Sequence, residues 1–139
     1  MVYDSHSVAQ TEEIAARFAR TLSGGTVVAF CGGLGMGKTA FVRGMAQGLG
    51  LTAEVSSPTF ALVHEYGGQP PLVHFDMYRV SGWEDLYSTG YFDYIDEGGV
   101  IAAEWSENIE AALPDNTIYV EINKIDDTTR EIIITQKGE

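Results

Sequence analysis

The chain has 139 residues, 20 of them acidic and 8 Lys or Arg, and its net charge at pH 7 is −12. This excess of acid argues against independent binding of nucleic acid, which needs basic side chains to displace counterions from phosphates. The hydrophobic content of 45% excludes a disordered chain, and the length suits one domain over residues 1–139. The single cysteine, Cys31, excludes an internal disulfide and a cysteine-rich metal site.

The beginning of the sequence shows no targeting pattern. Residues 1–7 lack the basic and apolar regions that are typical of a signal peptide. No apolar run approaches the roughly 18 residues needed to cross a bilayer. We therefore expect a cytoplasmic protein that does not enter a membrane.

The first part of the chain predicts a helix, a strand and a second helix. Ser7 and Gln10 form a capping-box pattern at the start of a helix over 8–22. Residues 26–31 form a short apolar, β-branched run that is typical of a buried strand, and Cys31 at its end is expected to be a core thiol. A glycine-rich turn follows, and the apolar spacing then predicts a helix over 38–49.

The rest of the chain is predicted to contain mainly strands. Residues 83–94 indicate short helical turns with loop, and 106–112 indicate a short helix. The last two strands, separated by a polar turn, predict a hairpin. The predicted strands cover 60–66, 72–75, 100–103, 117–122 and 131–135.

The glycine-rich turn carries the clearest chemical signal. Residues 32–39 read GGLGMGKT and fit G-x-x-x-x-G-K-[ST] between a predicted strand and a predicted helix. Glycines allow successive N–H groups to point inward at phosphates, and a helix N-terminus adds positive potential. Lys38 can reach the β- and γ-phosphates, and the Thr39 hydroxyl is placed to hold Mg²⁺. The predicted nucleotide-binding residues are Gly32, Gly33, Leu34, Gly35, Met36, Gly37, Lys38, Thr39 and Ala40.

This motif and the order of elements predict the α/β class: a P-loop NTPase-like three-layer sandwich with a mostly parallel central sheet and antiparallel flanking and C-terminal strands. The alternative interpretation of 32–39 is a turn that only joins strand to helix. The surrounding strand and helix favour nucleotide binding.

Two acidic residues follow predicted strands. Glu104 comes after 100–103, and Asp76 comes after 72–75. Because the carboxyl ends of parallel strands meet at the edge that carries the phosphate loop, both can lie near a bound nucleotide. One acid can hold the metal while the other orients the attacking water, although an acid at a strand end can equally lie in solvent.

Two further matches suggest a small GTPase. Residues 123–126 read NKID and fit N-K-x-D, and 96–99 read DEGG and fit D-x-x-G. The spacing argues against this function, because only 13 residues follow Asp126 and leave no room for a further helix. We expect both matches to be turns, with 123–129 forming the end of a hairpin.

Four blocks in this order resemble the TsaE (YjeE) family of bacterial ATPases, which serve the formation of tRNA threonylcarbamoyladenosine. The resemblance covers about residues 11–130. The blocks are the phosphate loop continuing to Met45, the segment SPTFALVHEY at 57–66, HFDMYR at 74–79 and EWSE at 104–107. The sequence departs from the family pattern at Gly33 and at 102–103, where alanines reduce the packing beneath Glu104.

The resemblance implies roles for individual residues. Thr39 and Glu104 would hold Mg²⁺. Asp76 would orient the attacking water or contact a group that is itself bound to Mg²⁺. The segment 57–59 would be a switch that senses the γ-phosphate, so Lys38, Asp76 and Thr59 are the predicted catalytic residues. Arg130 and the region 8–11 would border the adenine, and Trp105 would lie beside the site, although a core tryptophan is an equally good interpretation.

The resemblance also implies the cofactors and partners. Similar proteins bind ATP or ADP with Mg²⁺ and act with TsaB and TsaD, so we expect a weak ATPase whose partners hold the tRNA. A nucleotide-dependent interaction switch with incidental hydrolysis is the main alternative. A small-molecule kinase is a further alternative, but the sequence has no segment for an arginine-bearing lid.

Overall fold

A computed structural model of the chain describes residues 1–31, 37–51, 63–68 and 70–137. Within these ranges the helices are α1 (Val8–Ala19), α2 (Lys38–Gly48), α3 (Trp83–Ser88) and α4 (Tyr91–Asp96), with a 3₁₀ helix at Ser106–Ala112. The strands are β1 (Val2–Ser5), β2 (Val27–Phe30), β3 (Val63–Gly68), β4 (Pro71–Asp76), β5 (Val100–Glu104), β6 (Ile118–Lys124) and β7 (Arg130–Gln136). None of the helices described is long and apolar enough to span a membrane.

The strands form one seven-stranded sheet in the order β1-β7-β6-β2-β5-β4-β3. The four central strands β6, β2, β5 and β4 run parallel, whereas β1, β7 and β3 are antiparallel to their neighbours. The predicted α/β sheet with a parallel centre and antiparallel flanks is therefore confirmed. Because β2, β4 and β5 are parallel, their carboxyl ends lie at one edge of the sheet.

Helices cover both faces of the sheet and complete three layers. On one face α1 and α2 pack on alternate strand residues, and on the other face α3, α4 and the 3₁₀ helix do so. The first core contains Val28, Phe30, Phe41, Met45, Leu72, Val100 and Ala102. The second core contains Val27, Ala29, Phe75, Leu86, Tyr91, Ile101 and Ala103.

Helices α1 and α2 approach each other closely because α2 carries glycine at the contact. A Cβ atom at Gly44 would lie 2.3 Å from the carbonyl oxygen of Glu12 and 2.7 Å from Cβ of Ala15. Helix α1 begins with the predicted cap, since the Gln10 amide nitrogen donates to Oγ of Ser7 at 3.0 Å. The Ser7 side chain thereby caps the first turn of α1.

The structure differs from the prediction at several element ends. Helix α1 ends at Ala19 rather than at residue 22, although Leu22 still packs against the core. Strand β3 continues to Gly68, and β4 already begins at Pro71, so the turn between them is shorter than predicted. The start of the predicted strand 60–66 lies outside the described residues, and β1 was not predicted at all.

Candidate functional site

The N-terminus of α2 lies at the carboxyl edge of the sheet. Gly37 has a left-handed φ of 92° and occupies the N-cap position, where a side chain would be strained. Lys38 is the first residue of the helix and is only 8% exposed. Its Nζ donates to the carbonyl oxygen of Cys31 at 2.5 Å, just beyond β2. The Lys38 amine therefore lies over the end of the first central strand.

Positive charge at this point has no acidic partner in the part of the chain that the structure describes. The ion pairs found there do not include Lys38. The free N–H groups at the start of an 11-residue helix add to the positive potential. A buried ammonium group beside a helix N-terminus is a setting that favours a bound anion such as a phosphate. The predicted loop residues 32–36 and Thr59 lie outside the described residues.

Asp76 and Glu104 meet at the same edge of the sheet. They are paired in register across the parallel strands β4 and β5. Glu104 is 1% exposed, whereas Asp76 is half-buried and its Oδ1 accepts a hydrogen bond from the Tyr78 amide nitrogen at 3.0 Å. The expectation that both strand-end acids gather at one edge is confirmed. Their chemical roles stay predictions.

Glu104 has a partner that the sequence did not reveal. Nε2 of His74 lies 2.9 Å from Oε2 of Glu104, and both side chains are almost fully buried. Oε1 of Glu104 and Nδ1 of His74 are buried and have no hydrogen-bond partner within the described ranges. The alternation of β4 places His74 and Asp76 on one face of the sheet. The contact of His74 with Glu104 also requires β4 and β5 to be neighbours.

This donor set suits a divalent cation that is held jointly with a ligand. The described residues contain no group of three His, Cys, Asp or Glu side chains that could hold a metal ion by themselves. Mg²⁺ typically takes one or two carboxylates and completes its shell with phosphate oxygens and water. The unpaired Oε1 of Glu104 is a suitable oxygen ligand of this kind.

A cavity of about 300 Å³ lies beside the start of α2. It is lined by residues from three regions: the segment that enters α1, the first turn of α2, and the β6–β7 turn. The lining residues are His6, Ser7, Val8, Thr11, Gly37, Ala40, Asp127, Thr128 and Arg130. The cavity is large enough for an aromatic base and lies next to the N-terminus of α2.

The cavity brings together several residues predicted to contact a nucleotide. Gly37, Ala40 and Arg130 all line it, as does the predicted adenine border at 8–11 through Val8 and Thr11. The sequence did not point to His6, Ser7, Asp127 or Thr128, since polar residues before a helix and in a hairpin turn have no distinctive pattern. Nη1 of Arg130 donates to the carbonyl oxygens of Asp126 and Thr129, so the guanidinium is tied to the turn.

Trp105 has an unusual backbone directly after Glu104. Its φ of 59° is left-handed, which non-glycine residues adopt uncommonly. Its ring is half-buried and its centroid lies 5.0 Å from that of Tyr78, the residue whose amide binds Asp76. Trp105 thus packs partly against the second core and directly follows Glu104 in the chain.

Cys31 differs from the prediction of a core thiol. The residue is exposed, because the chain leaves the sheet immediately after β2. Loss of hydration raises the pKa of its thiol, and the charges of Glu107 and Glu121 raise it further. Cys31 is therefore poorly suited to act as a nucleophile at neutral pH.

The N-K-x-D match forms the hairpin end that the spacing predicted. Oδ1 of Asp126 accepts hydrogen bonds from the amide nitrogens of Thr128 and Thr129, at 3.0 and 2.8 Å. These bonds lower the pKa of Asp126 and close the β6–β7 turn. The D-x-x-G match falls at the end of α4 and the turn before β5. Asn123 and Lys124 thus end β6, and the turn begins at Ile125.

Comparison with known proteins identifies the family. The family described as "Threonylcarbamoyl adenosine biosynthesis protein TsaE" matches residues 5–132. The chain belongs to the TsaE family. Its family is part of the system that makes threonylcarbamoyladenosine in tRNA.

Curated TsaE relatives span nearly the whole chain. The TsaE protein of Treponema pallidum is 37% identical over 130 residues, which cover 94% of this chain and 96% of that protein. The TsaE protein of Bacillus subtilis is 38% identical over 93% of this chain and 81% of its own length. The crystal structure of Bacillus subtilis YdiB matches with a TM-score of 0.82 and 34% identity, over 99% of this chain and 86% of that one. The α/β fold with a mostly parallel sheet centre expected for the TsaE family is thus confirmed.

Proposed function

We propose that this chain binds ATP with Mg²⁺ and hydrolyses it slowly in support of tRNA threonylcarbamoyladenosine formation. The observation that carries the proposal is the position of Lys38. Its buried amine, which has no acidic partner among the described residues, lies beside the N-terminus of α2 and the cavity next to it. A triphosphate at the helix end with its base in the cavity would satisfy both features.

The residues at the sheet edge supply the chemistry in this proposal. Thr39 and Glu104 hold Mg²⁺, which neutralises charge on the phosphate oxygens when it is bound. Lys38 binds the β- and γ-phosphates, and Asp76 orients the attacking water. The proposed nucleotide contacts also include Ala40 and Arg130. Thr59 and the loop 32–36 complete the proposed site from outside the described residues.

Slow hydrolysis is part of the proposal because Arg43 and Arg130, two of the five arginines of the chain, already bind other groups. Arg79 is exposed and lies three residues after Asp76. Phosphoryl transfer is accelerated strongly by an arginine that reaches the transferred group. Nη1 of Arg43 lies 3.3 Å from Oε1 of Glu12, and Arg130 is bonded to turn carbonyls. We therefore propose that partner proteins complete or gate the site. TsaB and TsaD are the proposed partners, and they hold the tRNA, because the net charge of −12 opposes contact with RNA by this chain.

Calorimetry with the isolated protein tests the nucleotide. We expect ATP and ADP to bind in the presence of Mg²⁺, and GTP to bind more weakly. Equal affinity for GTP would contradict adenine preference, and absence of any nucleotide binding would overturn the proposal. Gel filtration with purified TsaB and TsaD, with and without ATP, tests the partners.

The interaction switch is the second candidate, and the same engaged arginines favour it. The two functions differ in what hydrolysis does. If ATP and a non-hydrolysable analogue promote assembly equally and both support tRNA modification, the chain acts as a switch. If only ATP supports repeated modification, hydrolysis is part of the function.

A further inference from the structure

We propose that His74 is a positioning residue for Glu104: its imidazole fixes one carboxylate oxygen and leaves the other available to a divalent cation. The inference rests on the proposed function, since it concerns the metal ligand of the same site. It adds a residue that neither the motifs nor the comparisons assign. His74 does not touch the metal or the nucleotide in this proposal, and it acts only through Glu104.

The sheet register brings the two side chains together. His74 pairs with Ala102 across β4 and β5, and Glu104 lies two residues further along β5. Leu72, two residues before His74, and Ala102 pack in the core beneath α1 and α2, so the alternation of the strands places His74 and Glu104 on this same face. Because Ala102 carries only a methyl group, the imidazole has room to reach along the sheet to Oε2.

The hydrogen bond has a defined donor and acceptor when Glu104 is ionised. Glu104 as a carboxylate can only accept, so Nε2 of His74 donates to Oε2 across 2.9 Å. Nδ1 has no partner in the described part of the chain, so it is also a buried polar atom without a hydrogen bond.

The two carboxylate oxygens of Glu104 have different hydrogen bonding. Oε2 is anchored, whereas Oε1 is buried without a partner in the described ranges. A buried acceptor that lacks a partner destabilises a fold. A purely structural carboxylate would be expected to use both oxygens. One anchored and one unpaired oxygen is the arrangement of a ligand that is held ready for a cation.

Anchoring matters because Mg²⁺ accepts little deviation from octahedral geometry. A glutamate has three rotatable side-chain bonds, and the bond to His74 removes most of that freedom. Partners of this kind typically change metal affinity by about 10- to 100-fold when they are removed. The alanines at 102 and 103 thus do not leave Glu104 loose, because a hydrogen bond holds it where packing is reduced.

The test compares His74→Leu, His74→Gln and His74→Asn in the full chain. Mn²⁺ is titrated into each ADP-bound protein and followed by electron paramagnetic resonance, and ADP affinity is measured in EDTA. We expect His74→Leu to weaken Mn²⁺ binding about 10- to 100-fold while the metal-free ADP affinity is unchanged. His74→Gln should retain most of the Mn²⁺ affinity, since its amide nitrogen can donate at the position of Nε2. The shorter His74→Asn should not.

The control is His64→Leu. His64 pairs with His74 across β3 and β4 and has no described bond to Glu104, so its removal should leave Mn²⁺ affinity unchanged. If His74→Leu does not fold, the Mn²⁺ affinities of His74→Gln and His74→Asn are compared instead, and the inference requires the Gln variant to bind Mn²⁺ more tightly. Equal Mn²⁺ affinity in wild type and His74→Leu, or in the Gln and Asn variants, would contradict the role of His74 but leave the proposed function unaffected. A wild-type protein that binds no nucleotide overturns the proposed function and this inference with it.

Discussion

Asp76 and Glu104 lie opposite each other at the ends of β4 and β5, and the chain after Asp76 is tied to the same point. The Met77 amide nitrogen donates to the carbonyl oxygen of Glu104 at 3.0 Å. Glu104 is buried and anchored, whereas Asp76 is half-buried and bound through Oδ1 to a backbone amide. The two acids therefore have different environments, and different roles are expected for them.

Glu104→Gln and Asp76→Asn should separate these roles. We expect Glu104→Gln to abolish the effect of Mg²⁺ on nucleotide affinity, because the amide is a poorer metal ligand. Asp76→Asn should keep that effect and slow hydrolysis by about 100-fold, since water is no longer oriented by a carboxylate. Calorimetry with and without Mg²⁺ and a phosphate-release assay measure the two effects. Glu13→Gln, on the exposed side of α1, is the control. Loss of the Mg²⁺ effect in Asp76→Asn but not in Glu104→Gln would exchange the assignments.

Lys38→Ala should weaken ATP binding by about 10- to 100-fold, because a charge-assisted contact with the phosphates is lost. AMP, which has no β- or γ-phosphate, should bind equally well to wild type and variant. Calorimetry at constant ionic strength measures both affinities. Lys137, which follows β7 at the opposite edge of the sheet, provides the matched control, Lys137→Ala, with unchanged ATP affinity. An unchanged ATP affinity in Lys38→Ala would refute the role of this amine.

Arg130→Ala tests the cavity. The guanidinium lines the wall and ties the β6–β7 turn through its bonds to Asp126 and Thr129. We expect ATP affinity to fall about tenfold, as for the loss of one charged contact, with the thermal midpoint little changed. Arg20→Ala, at the exposed end of α1, should leave binding unchanged. If Arg130→Ala binds ATP as the wild type does, the base is not held at this cavity.

Gly44→Ala should destabilise the fold, although alanine normally favours a helix by about 1 kcal/mol over glycine. The added Cβ would lie 2.3 Å from the Glu12 carbonyl oxygen, and α1 and α2 would have to move apart. We expect a loss of about 1–3 kcal/mol in the free energy of unfolding, measured with urea. Gly82→Ala is the control, because no heavy atom lies within 4 Å of its added Cβ. Equal stability of the two variants would contradict the close contact.

Cys31 gives a prediction for pH dependence. Because partial loss of hydration and the charges of Glu107 and Glu121 raise the pKa of the Cys31 thiol, less thiolate is present at pH 8 in the folded protein than in the unfolded chain. Alkylation by iodoacetamide at pH 8 should therefore be several-fold slower in the folded protein than in urea. The folded rate should continue to rise at pH values where the rate in urea has levelled off. A folded protein that reacts as fast as the unfolded chain at pH 8 would contradict the raised pKa.

Much of the fold follows from local patterns. The cap at Ser7, the β-branched run of β2 and the alternation of β6 and β7 each specify an element without knowledge of the rest. Strand β1 was missed because four residues are too few to show alternation, and its pairing with β7 brings together segments more than 120 residues apart. Such pairing is decided by tertiary contacts rather than by propensity.

Part of the candidate site could likewise be predicted from local patterns, and part of it could not. The phosphate-loop pattern and the acids after β4 and β5 are visible because they occupy fixed positions relative to strand ends. The contact of His74 with Glu104 is not visible, since it depends on which strands are neighbours and on their register. The cavity walls contributed by His6 and Thr128 likewise require both ends of the chain to meet at α2.

Strand β1 has a consequence for motion. It leads directly into His6 and Ser7, which form one wall of the cavity, while its partner β7 begins at Arg130 on another wall. A molecule bound between these walls resists their separation. Amide hydrogen exchange in β1 should slow when the cavity is occupied, even though no residue of that strand lines it.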